Sequence, residues 1–321
     1  MSHLLNKMKI SVIIPCHNAG AWIDDALASV AAQTFPATEV LVIDDSSTDD
    51  SAARAENNKV VHQVIHVSCR NAAAARNIGI EQACGDWIAF LDADDLWLPD
   101  HLERAVSALR GTSDVAYLAH NKLQVFSAKG ESRLIARDTA PPVRRLTSGL
   151  SDDAFVNWWC RKAWFFPGAL VANREALLET GAFDITQVRR HDFEMFFRLV
   201  HNRHWTYDPI PGAIYRMMIN PESISSNTLE TTFYTVRALH MNLQRYPETL
   251  LPQALRRWSR RLAWECVKAG RIELDSKHAV MALQGLEGAS SIFWRVALRH
   301  HRASTMTYQT ARRFKRYLSA R

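Results

Sequence analysis

Three aspartates follow an apolar segment in the N-terminal half, and this pattern restricts the possible folds most strongly. The segment 87–91 has the composition of a buried strand, and Asp92, Asp94 and Asp95 follow it directly. Such strands are typical of α/β sheets, whose ligands bind beyond the carboxyl ends of the strands. Asp92 and Asp94 leave the strand on one face, so their charges repel unless a proton or cation lies between them. The pattern predicts a divalent metal held by carboxylate and phosphate oxygens. A solvated acidic turn before a helix is the alternative.

Strands and helices alternate over the first third of the chain. The sequence predicts helices over 22–30 and 71–83, and strands over 9–15, 39–43, 59–67 and 87–91. This alternation predicts βαβ units and a parallel sheet. The second strand also ends in acids, Asp44 and Asp45. Because two successive strands carry acids at their carboxyl ends, we expect one site that binds a nucleotide and its metal.

Four motifs connect the chain to a known family. They are SVIIPCHN (11–18), VLVIDDSSTD (40–49), ARNIG (75–79) and FLDADD (90–95). In this order and spacing they resemble the family 2 glycosyltransferases, closely over 9–110 and more loosely to about 225. The resemblance implies a Rossmann-like α/β fold of the GT-A type with a mixed, mainly parallel sheet. It also implies a nucleotide-sugar donor, a divalent cation (Mn²⁺ or Mg²⁺) and inversion at the sugar carbon.

The resemblance implies specific roles for residues of this half. Asp45 would accept a hydrogen bond from the base, in the first instance the ring N–H of uracil in a UDP-sugar. Arg76 would support the diphosphate, and Asp94 and Asp92 would hold the metal. The alternatives are that Asp45 caps a helix or turn and that Arg76 is a solvated surface residue. The residues implied at the donor are Pro15, Cys16, His17, Asn18, Asp45, Arg76, Asp92, Ala93 and, from the second half, Arg216.

The general base is expected at the start of a helix in the second half. The segment 181–184 (GAFD), followed by His191 and Asp192, is similar to the family's catalytic stretch, with His191 where the family has Glu. The resemblance implies that Asp192 takes the proton of the acceptor hydroxyl. An acid favoured by the helix dipole is the alternative. Tyr215 and Arg216 are similar to the motif that closes the family's site.

The charge of the chain is divided unevenly. Residues 1–225 carry a net charge of −5, and residues 226–321 hold 17 Lys and Arg against 6 acids, a net charge of +11. We expect a GT-A domain over 1–225, with a donor half over about 9–110 and an acceptor half over about 111–225. A basic helical region is expected over 226–321. No nucleic-acid recognition motif accompanies this charge, so no nucleic-acid partner is expected.

The predicted helical region has arginines at positions 256, 257, 260 and 261, which suit an anionic membrane surface. A solvated basic face is the alternative. No apolar run reaches the length of a membrane span, and the N-terminus has no signal-peptide pattern. We therefore expect a cytoplasmic protein, with peripheral association at the inner face of the cytoplasmic membrane as one option.

The predicted function is transfer of one sugar from a UDP-sugar to a saccharide or lipid-linked saccharide, with inversion. A catalytically silent nucleotide-sugar-binding or scaffold protein of the same fold is the first rival, since His191 replaces the family's Glu. A nucleotidyltransferase is the second. It should have a Gly-rich phosphate-binding segment after the first strand, and the segment 15–18 (PCHN) is not one.

Overall fold

The computed structural model describes residues 8–126, 132–136, 145–147, 166–218, 228–247, 251–268 and 277–286. These residues form two compact units, one containing the described residues up to 218 and one containing those from 228. The assignment of a GT-A domain to residues 1–225 and of a separate basic helical region to residues 226–321 stays a prediction.

The first unit is built on one mixed sheet. Its strands pair in the order β3-β2-β1-β4-β9-β6-β10-β5, with β7 paired to β6 and β8 to β10. Pairing is parallel from β3 through β4 and between β6 and β10, and antiparallel elsewhere. The predicted α/β class is confirmed. The strands are β1 (Ile10–Cys16), β2 (Glu39–Asp45), β3 (Gln63–Val67), β4 (Trp87–Phe90), β5 (Leu96–Trp97), β6 (Ala116–Phe126), β7 (Ser132–Ala136), β8 (Arg145–Thr147), β9 (Leu170–Asn173) and β10 (His204–Met218).

Helices cover the sheet of the first unit. Among them, α3 carries Arg76. Asn71 caps it, because the side-chain oxygen accepts hydrogen bonds from the backbone N–H groups of Ala73 and Ala74 at 2.9 and 3.2 Å. A Cβ added to Gly79 would lie 2.5 Å from Ile13 Cγ2, so this glycine lets α3 approach β1 closely. The helices are α1 (Ile23–Ala31), α2 (Ser51–Glu56), α3 (Ala72–Gln82), α4 (His101–Leu109), α5 (Arg174–Glu179) and α6 (His191–Val200).

The predicted ends of several strands differ from the structure, and the second strand, predicted over 39–43, continues to Asp45. The first strand continues through Pro15 to Cys16. Because β4 pairs with β1 only as far as Ile13, Pro15 has one neighbouring strand and its missing N–H leaves no partner unpaired. The third strand begins at Gln63 rather than at 59. Residues before it form a turn, in which the Asn58 side chain accepts a hydrogen bond from the Val60 N–H at 3.1 Å.

The second unit is helical, as predicted. It contains α7 (Thr228–Arg245), α8 (Leu251–Lys268) and α9 (Lys277–Gln284). His278 of α9 lies 2.7 Å from a carboxylate oxygen of Glu230 on α7 and packs on the ring of Phe233. Within the described residues, no helix is both long enough and apolar enough to cross a membrane.

Candidate functional site

The turn after β4 crowds three carboxylates together. Asp95 is fully buried, and its Oδ1 accepts a hydrogen bond from the Arg216 backbone N–H at 2.8 Å. Asp94 is exposed to solvent, although many protein atoms surround its carboxyl group. Desolvation, and then the charge of Asp92, raise the pKa of Asp94 to about 6. Burial, followed by the charges of Asp94 and Asp92, raises the pKa of Asp95 well above its usual value. This repulsion favours a bound cation.

Arg76 lies beside this turn and is only 4% exposed. Ala73, Arg76 and Ile80 form one buried face of α3, which carries the guanidinium to the carboxyl ends of the strands. Its Nη2 pairs with Asp92, and the guanidinium lies 5.6 Å from the ring centre of Phe183. The alternative that Arg76 is a solvated surface residue is therefore wrong.

His191 begins α6 and contacts Arg76. The Arg76 Nη1 donates a hydrogen bond to His191 Nε2 at 2.9 Å, so this nitrogen carries no proton. Burial, and then the charge of Arg76, lower the pKa of His191, and both keep its imidazole neutral. The edge of the Phe183 ring packs against it at 5.7 Å. The sequence alone identifies His191 only as a replacement for the family's Glu. Its contact with Arg76 is not predictable from the sequence, because the two residues lie 115 positions apart along the chain.

Asp192 lies in the first turn of α6. Within the part of the chain that the structure describes, its carboxylate has no hydrogen bond or ion pair. Neighbouring acids are engaged: Glu194 is fully buried against Arg198, and Asp184 accepts hydrogen bonds from the backbone and hydroxyl of Thr186 at 2.8 and 2.7 Å. Asp192 is therefore the acid of this segment that is available to a substrate.

Arg76 connects the two sets of acids. It pairs with Asp92 of the acidic turn and donates a hydrogen bond to His191, the residue that precedes Asp192. The acidic turn and the start of α6, which belong to opposite halves of the chain, therefore meet at one guanidinium. Burial, and then the charges of Asp95, Asp94, Asp92 and Asp192, raise the pKa of the Tyr215 phenol.

Arg216 ties the acidic turn to β10 and α1. Its Nε donates a hydrogen bond to the Asp94 carbonyl oxygen, and its Nη1 lies 2.8 Å from Asp25 Oδ2. The guanidinium lies 4.9 Å from the ring centre of Trp22. Trp22 and Asp25 are not predictable as site residues from the sequence, because nothing in their local pattern distinguishes them from ordinary residues at the start of a helix.

The loop after β1 contacts the end of β2. His17 Nδ1 lies 2.6 Å from the Asp45 carbonyl oxygen. Asn18 adopts a left-handed conformation with φ 51°, and its Oδ1 accepts a hydrogen bond from the Thr48 N–H at 2.8 Å. Burial raises the pKa of the Cys16 thiol to about 11, so it stays protonated at neutral pH. Pro15 lies in β1, just before this loop. Ala93 is buried in the acidic turn.

Asp45 caps the turn before α3. Its Oδ1 accepts hydrogen bonds from the N–H groups of Cys69 and Arg70 at 2.7 and 2.8 Å, and its Oδ2 accepts one from Asn71 at 2.8 Å. These contacts are the ones expected from the alternative that Asp45 caps a helix or turn. Because Oδ2 accepts a single bond, it keeps a lone pair that can accept another donor.

A divalent metal fits the acidic turn as a site shared with a ligand. Among the described residues, no group of three or more His, Cys, Asp or Glu side chains could hold a metal ion. Asp92 is already paired with Arg76. The chain would thus supply Asp94, with Asp92 beside it, and phosphate oxygens would complete the coordination.

Comparisons with known proteins identify the family of this chain. The model of glycosyl transferase family 2 matches residues 11–166. TuaG of Bacillus subtilis (strain 168), named as a putative glycosyltransferase of teichuronic acid biosynthesis, is 39% identical over 232 residues, which cover 69% of this chain and 83% of that protein. The chain therefore belongs to glycosyl transferase family 2.

Other relatives are larger. An uncharacterized glycosyltransferase of Rickettsia conorii is 38% identical over 131 residues, 40% of this chain, and the match covers 21% of that protein's length. Among solved structures, S. aureus TarS in complex with UDP-GlcNAc has a TM-score of 0.62 at 18% identity, covering 92% of this chain and 88% of that one. This likeness establishes the fold.

Proposed function

We propose that this chain transfers one sugar from a UDP-sugar to a hydroxyl of a saccharide or lipid-linked saccharide, with inversion, in the synthesis of a cell-envelope polysaccharide. Family membership supports glycosyl transfer. The name of TuaG supports a polysaccharide product, and the UDP-GlcNAc complex of TarS supports a UDP-sugar donor. The observation that carries the proposal is that Asp192, unbonded within the described part of the chain, follows the residue that Arg76 joins to Asp92 of the acidic turn.

The donor would bind across the carboxyl ends of β1, β2 and β4. The Oδ2 lone pair of Asp45 would accept from the base, beside the loop 15–18. Arg76 and Arg216 would carry the positive charge that faces the diphosphate, because both lie at the acidic turn. Asp92 and Ala93 would lie beside the ribose.

The metal would be Mn²⁺ or Mg²⁺, with Asp94 as the chief protein ligand and Asp92 beside it. Asp94 is suited to this role because desolvation and the charge of Asp92 make its own charged form unfavourable. When bound, a divalent cation neutralises the charge that develops on the leaving diphosphate.

Asp192 would act as the general base. An acceptor hydroxyl must lose its proton as its oxygen bonds to the sugar carbon, and the Asp192 carboxylate would receive that proton. A single displacement from the face opposite the diphosphate inverts the sugar carbon. Glu194 cannot take this role, since both of its oxygens face Arg198.

The second unit would bring the enzyme to its acceptor at a membrane. Arg256, Arg257 and Arg261 of α8 are exposed. Together they suit the anionic inner face of the cytoplasmic membrane, where lipid-linked saccharides are held. In this proposal the protein is cytoplasmic and peripheral.

The exchange Asp192→Asn tests the proposal. It keeps the size of the side chain but removes the proton acceptor. Calorimetry should show UDP-sugar binding within about threefold of wild type. Transfer, measured by product formation, should fall by about 10²- to 10⁴-fold. The matched control is Asp86→Asn, an exposed aspartate just before the amino end of β4, and it should leave both quantities unchanged.

The outcomes separate the candidates. Transfer at near wild-type rate by Asp192→Asn would remove Asp192 as the base. A wild-type protein that binds UDP-sugar but forms no product with any saccharide acceptor, and does not hydrolyse the donor, would instead be the silent binding protein.

A further inference from the structure

Arg76 is held from three sides by groups of different charge. His191 Nε2 accepts one N–H at 2.9 Å, the Asp92 carboxylate accepts another, and the ring of Phe183 lies 5.6 Å from the guanidinium. Only one of the three, Asp92, is negative. A further N–H is donated to the Ala72 carbonyl oxygen at 3.4 Å, so the geometry orients Arg76 with three hydrogen-bond acceptors, of which one is an acid.

We propose that His191 is a positioning residue that directs Arg76 toward the donor diphosphate without placing a second negative charge beside it. A glutamate at this position, as the family motif has it, would form a second ion pair with Arg76. The neutral imidazole accepts the same N–H and adds no charge to the pair that Arg76 forms with Asp92. Nucleotide binding consequently depends less on the divalent metal than it would with a glutamate at position 191.

This inference rests on the proposed binding of a nucleotide-sugar at the acidic turn. The site otherwise has an excess of negative charge, since Asp92, Asp94, Asp95 and Asp192 all lie close enough to Tyr215 to raise the pKa of its phenol. A further carboxylate at position 191 would repel a diphosphate. One nearby charge commonly changes an ionic equilibrium by about one to three powers of ten.

Two exchanges at one position separate charge from geometry. His191→Gln keeps a neutral acceptor for Arg76, and His191→Glu keeps an acceptor but adds a charge. The affinity for UDP is measured by calorimetry, once with Mn²⁺ and once with EDTA. We expect wild type and His191→Gln to bind UDP in EDTA within about threefold of each other. We expect His191→Glu to lose about tenfold or more in EDTA and much less with Mn²⁺.

The matched control is His204→Glu. His204 is an exposed histidine at the start of β10, and Tyr215 and Arg216 lie eleven and twelve residues further along that strand. His204 and Tyr215 face Val115 and Leu123, eight residues apart, so at about 3.3 Å per residue the control adds the same charge roughly 25 Å along the sheet from Tyr215. It should leave the UDP affinity unchanged in both solutions. Thermal unfolding of each variant verifies that it is folded.

The results distinguish this inference from the proposed function. No UDP binding by wild type, even with Mn²⁺, would overturn the proposed function. UDP binding by wild type that requires Mn²⁺ would overturn the inference alone, as would a His191→Glu affinity in EDTA equal to that of wild type. An equal loss in His191→Gln and His191→Glu would show a role in packing rather than in charge and would also overturn it.

Discussion

Replacing Arg198 with methionine should strongly destabilise the first unit. Arg198 and Glu194 pair on α6 with side chains 4% and 0% exposed. Arg198 Nε and Nη2 lie 2.8 and 2.7 Å from the two Glu194 oxygens. The guanidinium also donates hydrogen bonds to the carbonyl oxygens of Thr180 and Ala182, in the turn that leads to Phe183. Methionine has a similar length, but it leaves the Glu194 charge buried without a partner.

The expected cost follows from the burial of both groups. Removing one partner of a buried ion pair costs about 3–5 kcal/mol, because an uncompensated charge remains. In a unit of roughly 150–250 residues, each kcal/mol lowers Tm by about 2–4 °C, so Tm should fall by about 6–20 °C.

Thermal unfolding followed by circular dichroism and tryptophan fluorescence measures this cost. Trp205 is a local probe, since it is fully buried and packs on Phe196 of α6 with ring centres 5.1 Å apart. The control is Arg203→Met. Arg203 pairs with Glu179 at 3.0 Å, but the two side chains are 27% and 58% exposed. Such a surface pair is worth less than about 1 kcal/mol. Equal losses in the two variants would refute the assignment of a buried, charge-compensated pair.

Two further predictions concern the metal and the membrane. Binding of a UDP-sugar with Mn²⁺ should weaken by about tenfold per unit below about pH 6, because Asp94, whose pKa is raised to about 6, must be unprotonated to ligate a cation. Calorimetry that shows no change between about pH 7 and about pH 5 would argue against Asp94 as the ligand. Replacing Arg256 and Arg261 with Gln should reduce co-sedimentation with vesicles of acidic lipid at low salt, by roughly 1 kcal/mol for each residue. If sedimentation changes neither with the exchanges nor with salt, or is equal with neutral vesicles, the basic face of α8 is a solvated surface and not a membrane-binding one.

The parts of the fold that the sequence predicted are those with a local signal. Aliphatic runs predict β1, β2 and β4 because a buried strand needs them, and Asn71 marks the start of α3 because its side chain replaces missing helix hydrogen bonds. The acidic turn was predictable for the same reason, since its three aspartates directly follow a strand. The amino-acid sequence alone therefore outlines the donor side of the candidate site.

The remaining features depend on contacts between distant parts of the chain. Nothing in the short segment of β9 indicates that it inserts antiparallel between β4 and β6. The spacing of Glu194 and Arg198 is that of an ordinary helix pair, and only the packing of α6 buries it. Arg76 and His191 likewise have no pattern in common. Their contact depends on the packing of α3 against the start of α6, where the Phe183 ring touches both side chains.

The acidic turn connects the stability of the first unit to ligand binding. Asp94 and Asp95 have raised pKa values because their charged forms are less favourable in the folded chain than in water. Arg216 holds both residues in place through the Asp94 carbonyl oxygen and the Asp95 carboxylate, so they cannot relieve the repulsion by moving apart. A cation at Asp94 would remove this unfavourable energy and bind the folded state alone. The same charges that weaken the fold would thus favour the binding of a divalent metal.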